Sequence, residues 1–192
     1  MKTNREIAPF KIQWNNVSNV ILFGDISNYF LSAKNMTQSQ LAEFLSGYYS
    51  YWRSEIFRQK GEIVSMLGDQ ILAVFRPGQC GGADPEWCAA LAAFHLMKDL
   101  KKWRDEIELN VGINSGEILE GVWEENSCKK SVFAGNLLNK TAIMATGKVK
   151  GIIAGKAVVE ILGPRVVSEK SCYRFATTGE EIPVYRLISL KL

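Results

Sequence analysis

The strand-like and helix-like segments of this chain run in the order β-α-β-β-α-β and then continue with further helices and strands. That order predicts an α/β (α+β) fold, with a ferredoxin-like βαββαβ core and a C-terminal αβ extension. Three observations carry the prediction: a β-branched apolar run that ends in an acid, two long helix-period stretches that alternate with short strand-like runs, and the absence of any internal repeat or linker. With 192 residues, 47% of them hydrophobic and 22% charged, the chain has the length of one domain and enough apolar surface for a packed core. The expected boundaries are a leader at residues 1–16 and a single domain at 17–192.

Residues 17–24 (Val-Ser-Asn-Val-Ile-Leu-Phe-Gly) read as a buried strand that delivers Asp25 at its end. From Thr37 to Gln59, Leu41, Phe44, Leu45, Tyr48, Trp52, Ile56 and Phe57 fall at helical spacing behind Thr37 or Ser39 as the cap. Glu62–Met66 and Ile71–Phe75 are short strands joined by Leu67-Gly68-Asp69-Gln70, a hairpin with an acid at its tip. A loop at Arg76–Pro85 precedes an Ala/Leu-rich helix, Glu86–Trp103. Leu109–Ile113 and Glu117–Trp123 flank Asn114-Ser115-Gly116, whose composition predicts a second hairpin. The remainder predicts a strand near Val132, a helix from Asn136 to about Thr146, a strand at Gly151–Ala154, a short helix to Leu162, and strands at Tyr173–Ala176 and Pro183–Ser189.

Lys plus Arg outnumber Asp plus Glu by 23 to 20, and a net charge of +3 is too weak for the electrostatic footprint of a nucleic-acid binder. No apolar run reaches the roughly 18 residues that cross a bilayer, so no membrane insertion is expected. Met1–Trp14 is too polar for a signal peptide, which points to the cytoplasm. Cys80, Cys88, Cys128 and Cys172 lack the paired spacing of a zinc site and read as free thiols. His95 is the single histidine and lies in a helical, Ala/Leu-rich stretch, which suits packing better than catalysis.

The chemistry concentrates on Asp25 and Asp69. In the predicted fold they end adjacent central strands, and two solvent-open carboxylates are what Mg²⁺ or Mn²⁺ on a nucleoside triphosphate requires. Acids at strand ends and turns are also common, so the pair alone is a weak signal. Four segments together are more specific: Phe23-Gly24-Asp25-Ile26, Leu67-Gly68-Asp69 followed by Ile71–Phe75, Val111-Gly112-Ile113-Asn114-Ser115-Gly116-Glu117, and Gly135-Asn136-Leu137-Leu138-Asn139. In this order and spacing the chain resembles the class III nucleotidyl cyclase homology domain from about residue 17 to residue 189.

The resemblance implies a head-to-tail dimer, homomeric or heteromeric with another cyclase-like domain, in which each site is shared between chains. It makes Asp25 and Asp69 the ligands of a two-metal site. The segment after Asp25, with Ile26, Asn28 and Tyr29, becomes the phosphate-cradling turn; Ser65 and Val132 stand at the base-selecting positions, and Asn139 orients the ribose. The family product is a 3′,5′-cyclic nucleotide plus pyrophosphate.

The departures from the family pattern matter as much. Ile143 stands where the family has an arginine, and Thr178 where it has a phosphate-binding lysine. Ser65 and Val132 differ from the usual lysine and aspartate or threonine, Asn28 replaces a glycine, and Phe30 replaces a threonine. Loss of one preorganised transition-state donor typically costs about 10²–10³ in rate. A self-sufficient homodimeric enzyme is therefore not expected, unless Lys140 or the Lys129-Lys130 pair supplies the missing cation. Two readings stay open. One is a catalytically impaired domain that acts as a dimerising regulatory or nucleotide-sensing module. The other is an active cyclase, either the metal-donating half of a heterodimer or an enzyme with unusual, pyrimidine base choice.

Overall fold

The computed structural model of the chain describes residues 11–125, 127–174, 179 and 181–191. In order it forms β1 (Gln13–Ile26), α1 (Tyr29–Ala33), α2 (Gln38–Arg58), β2 (Glu62–Leu67), β3 (Gln70–Phe75), α3 (Pro85–Trp103), β4 (Leu109–Glu125), β5 (Cys128–Ala134), α4 (Asn136–Thr146), β6 (Ile152–Ala154), α5 (Lys156–Leu162), β7 (Val166–Arg174) and β8 (Glu181–Leu190). The described strands make one sheet in the order β2-β3-β1-β4-β6-β8-β7, with β5 paired to β4. The β2-β3-β1-β4 portion is the antiparallel ferredoxin-like core, and β6 adds to it in parallel beside β4. Among the described residues no helix is long and apolar enough to cross a membrane.

Alternation along β1 sets the two faces of the sheet. Val20, Leu22 and Ile26 pack with α2 and α3 in the main core, whereas Ile21 packs with Leu72, Val74, Ile118 and Phe133 on the opposite face, beside Leu137 and Leu138 of α4. The buried stripe of α2 is Phe44, Tyr48, Trp52 and Ile56, one residue every helical turn. Each such side chain contributes about 1.5–3 kcal/mol by burial. At the helix start the Thr37 side chain accepts from the Gln40 amide while the Gln40 side chain accepts from the Thr37 amide, a complete capping box. Gly24 is required by Trp52: a Cβ there would lie 2.2 Å from the indole. On the other face a Cβ on Gly112 would lie 2.2 Å from the Thr141 carbonyl oxygen, so only glycine lets α4 close onto β4.

Three predicted boundaries change. Asn114-Ser115-Gly116 is not a hairpin turn, because β4 is one strand from Leu109 to Glu125 and pairs with β1 from Ile26↔Leu109 to Gln13↔Val122. Gly116 takes φ +151 within that ladder opposite Asn19, and Ser115 donates to Glu86 of α3 at 2.5 Å, so turn-forming residue types are here used inside a strand. β1 starts at Gln13 rather than Val17, since its polar first residues pair with the far half of β4. β7 starts at Val166 rather than Tyr173, and the predicted strand end at Ala176 lies outside the described residues.

Candidate functional site

Asp25 stands on the face of β1 opposite to Leu22 and Ile26 and directly across from Asn110 of β4. Asp69 occupies the turn between β2 and β3, where Gly68 adopts φ +59. The turn is built from two sides. The Ile26 amide donates to Asp69 Oδ2 at 2.9 Å, and α2 supplies two hydroxyls: Tyr48 donates to the Asp69 carbonyl at 2.9 Å and Tyr49 to the Gly68 carbonyl at 2.6 Å. Gln70 donates from Nε2 to Asp25 Oδ1 at 3.2 Å. The two carboxylates therefore share one end of the sheet, each oriented by a neighbour on the other's strand.

Burial pushes both acids above the ordinary carboxylate range. For Asp25 the Gln70 hydrogen bond and the positive charge of Lys150 oppose the shift. For Asp69 the Ile26 amide opposes it and the negative charge of Asp25 adds to it. Two hard-oxygen donors whose negative charges disfavour each other suit a divalent cation, which would satisfy both. Among the described residues no group of three or more metal-ligating side chains occurs, so an ion held by this pair needs further oxygens from water or from a ligand.

The segment after Asp25 keeps the course of a tight turn. Asn28 takes φ 57 and ψ 23, the left-handed conformation that asparagine tolerates better than other non-glycine residues, and its carbonyl accepts from the Leu31 and Ser32 amides as α1 begins. Asn28 thus meets the backbone demand that a glycine would meet. The Ile26 side chain is in the core, so its contribution here is its backbone. Tyr29 packs on Phe44 with ring centroids 6.3 Å apart, which turns its ring toward α2, and Phe30 projects into solvent.

Other predicted residues are spread along the sheet. Ser65 is exposed on β2 in the row Ser65–Leu72–Phe23, two residues along β1 from Asp25. Val132 lies in the row Val132–Gly121–Trp14. Trp14 is eleven residues from Asp25 on the same strand, about 36 Å at an ordinary strand rise. Lys129 and Lys130 lie farther still along β5, opposite Glu124 and Trp123. Asn139 is exposed on α4, Lys140 and Ile143 are half-buried there, and Thr178 lies outside the described residues.

The residues missed from sequence are those that build the pair: Tyr48, Tyr49, Gln70, Asn110 and Lys150. Tyr48 belongs to a stripe read as core, Tyr49 lies outside that stripe, and Lys150 comes near Asp25 only through the tertiary fold.

The family described as the adenylate and guanylate cyclase catalytic domain matches residues 12–184. The chain belongs to this family. An adenylate cyclase from Anabaena cylindrica is 25% identical to this cyclase-family chain over 164 residues, which take in 79% of the chain and 30% of that protein. The chain thus spans less than a third of that relative's length. The adenylyl cyclase CyaB from P. aeruginosa shares the fold with a TM-score of 0.81 at 15% identity, over 93% of this chain and 97% of that one. The guanylate cyclase domain of RhGC from Catenaria anguillulae, solved with GTP, gives 0.80 at 17% identity over 92% and 100%. A guanylyl cyclase domain of the RhoGC fusion protein from Blastocladiella emersonii, described as a non-canonical dimer, gives 0.80 at 18% identity over 93% and 99%.

Proposed function

We propose that this cyclase-like domain pairs with a second cyclase-like domain, binds a nucleoside triphosphate at its Asp25–Asp69 end, and acts as a regulatory or nucleotide-sensing module that is catalytically impaired on its own. The observation that carries the proposal is the unequal upkeep of the two halves of the site. The acid pair is held by Tyr48, Tyr49, Ile26 and Gln70, whereas α4 has Ile143 one turn after Asn139 and so presents no cation there. The separation of Val132 from Asp25 along β1 supports a head-to-tail dimer, because a single chain does not bring its own halves together. In this reading the domain takes in the whole of β1 from Gln13, and the free thiols suit a reducing, cytoplasmic setting.

Asp25 and Asp69 are the residues that would hold Mg²⁺ or Mn²⁺. When bound, such an ion shields phosphate charge and lowers the pKa of a coordinated hydroxyl. The chain's own part is to fix the acids before binding: the Ile26 amide and the Tyr48 hydroxyl hold Asp69 from opposite ends, and Gln70 orients Asp25 through one of its two oxygens. In the turn at Ile26, Asn28 and Tyr29 the Ile26 amide is committed to Asp69, so phosphate would be met by the backbone at Asn28 and Tyr29 rather than by side chains. Ser65 and Val132 lack the charged groups that would read a purine edge, which favours an unusual, pyrimidine base.

A second reading has its own support, the intact acid pair: the chain donates the metal site to an active heterodimer that makes a cyclic nucleotide and pyrophosphate. The two are separated by mixing the protein with a cyclase chain mutated at its own metal aspartates. Product that appears on mixing and disappears with Asp25→Ala establishes the heterodimer. No product with any compatible partner, while folding and dimerisation persist, establishes the regulatory module.

A further inference from the structure

The turn between α4 and β6 is held tightly for a surface segment. Its last residue, Gly151, has φ +99, donates its amide to Oδ1 of the buried Asn110 at 3.1 Å, and accepts from the Val111 amide at 2.9 Å. Asn110 also donates from Nδ2 to the Ser27 hydroxyl at 2.7 Å. One buried amide side chain therefore ties this turn to the end of β1, and it fixes the position of the residue just before Gly151, which is Lys150.

Lys150 Nζ donates to the same Ser27 hydroxyl at 3.2 Å, and its charge is felt by the Asp25 carboxylate. Among the described residues no carboxylate lies within ion-pairing distance of it. Lys101, which lines the same cleft of about 400 Å³ at the sheet end, is instead engaged by Asp105 at 3.0 Å. An ammonium group has three donors, and among the described residues one of those on Lys150 is used. The result is a cation near Asp25 with no carboxylate partner among the described residues, set in place by the anchored Gly151 that follows it.

We infer that Lys150 is a phosphate-contacting residue, supplied by the same chain as Asp25 and Asp69, that binds the polyphosphate of a nucleotide held at that end. The inference rests on the nucleotide-binding reading above and adds to it the source of a cation. It also explains how the chain offsets the negative charge of a triphosphate although Ile143 brings none to α4. Lys129 and Lys130 lie at the other end of β4 and do not serve this chain's own acids.

The test is calorimetric titration of the full chain with ATP, GTP, CTP and UTP in Mn²⁺, using wild type, Lys150→Gln, Lys150→Arg, Asp25→Asn and, as a control in the same turn, Lys148→Gln. A charge-assisted contact predicts that Lys150→Gln weakens triphosphate binding about ten- to a hundredfold, with a shallower salt dependence. Lys150→Arg is expected to restore most of the affinity and Lys148→Gln to bind as wild type, with the three lysine variants melting as wild type does. If Lys150→Gln binds as tightly as wild type while Asp25→Asn does not bind, the role of Lys150 is overturned and the nucleotide site stands. If wild type binds none of the four, the nucleotide reading fails and Lys150 with it.

Discussion

The hydroxyl of Tyr48, fully buried in α2, donates to the backbone carbonyl of Asp69 at 2.9 Å. A helix read from sequence as core thereby holds one of the two acids of the site, because Tyr48 is both a packing residue and a donor. Burial pushes its phenol well above the ordinary range, so the proton stays on the oxygen at neutral pH. Tyr48→Phe keeps the ring and leaves the Asp69 carbonyl without this donor, at a cost of about 1–3 kcal/mol. Urea denaturation should show the loss, and Mn²⁺-dependent nucleotide binding should weaken more than in a surface variant of equal stability.

The acid pair makes stability depend on pH in a direction opposite to that of a salt-bridged carboxylate. Both groups bind protons more readily in the folded state than in the unfolded one, so the charged pair costs stability above the raised values. That cost is recovered as pH falls through them toward the ordinary value of 3.8. In metal-free buffer, Asp25→Asn should therefore melt higher than wild type at neutral pH, with the difference shrinking as the solution is acidified. A neutral-pH Tm for Asp25→Asn below that of wild type would contradict the repulsive pairing.

Gly112 fixes how closely α4 approaches β4. Gly112→Ala puts a methyl 2.2 Å from the Thr141 carbonyl oxygen, and backbone on both sides leaves no flexible group to yield. Overpacking of this kind costs about 1–3 kcal/mol. The variant should lose that much in denaturant titration and should also shift the amide resonances of α4 around Asn139.

The elements legible in the sequence were those with a clear period. The α2 stripe of Phe44, Tyr48, Trp52 and Ile56, a cap at Thr37 or Ser39, and the apolar run of residues 17–24 mark a helix and a buried strand, whereas the capping box at Thr37 and the two faces of β1 show only in the fold. β4 was misread because Asn114, Ser115 and Gly116 carry turn chemistry that composition cannot tell from a strand whose partner, β1, is distant in sequence. α1 escaped because its five residues are too few to show a period. Asp25 and Asp69 were legible as a pair, but Gln70, Asn110 and Lys150 were not, since each acts through a contact between elements far apart in the chain.

The central claim is that the acid pair is intact while the chain's own transition-state half is not. Its most direct test is to incubate the purified protein, at concentrations that saturate any dimer, with each of the four nucleoside triphosphates and Mn²⁺, and to quantify cyclic nucleotide. The account predicts little or no product from the protein alone, below about one turnover per second with every base, alongside measurable Mn²⁺-dependent binding. Robust turnover by the isolated homodimer would contradict it.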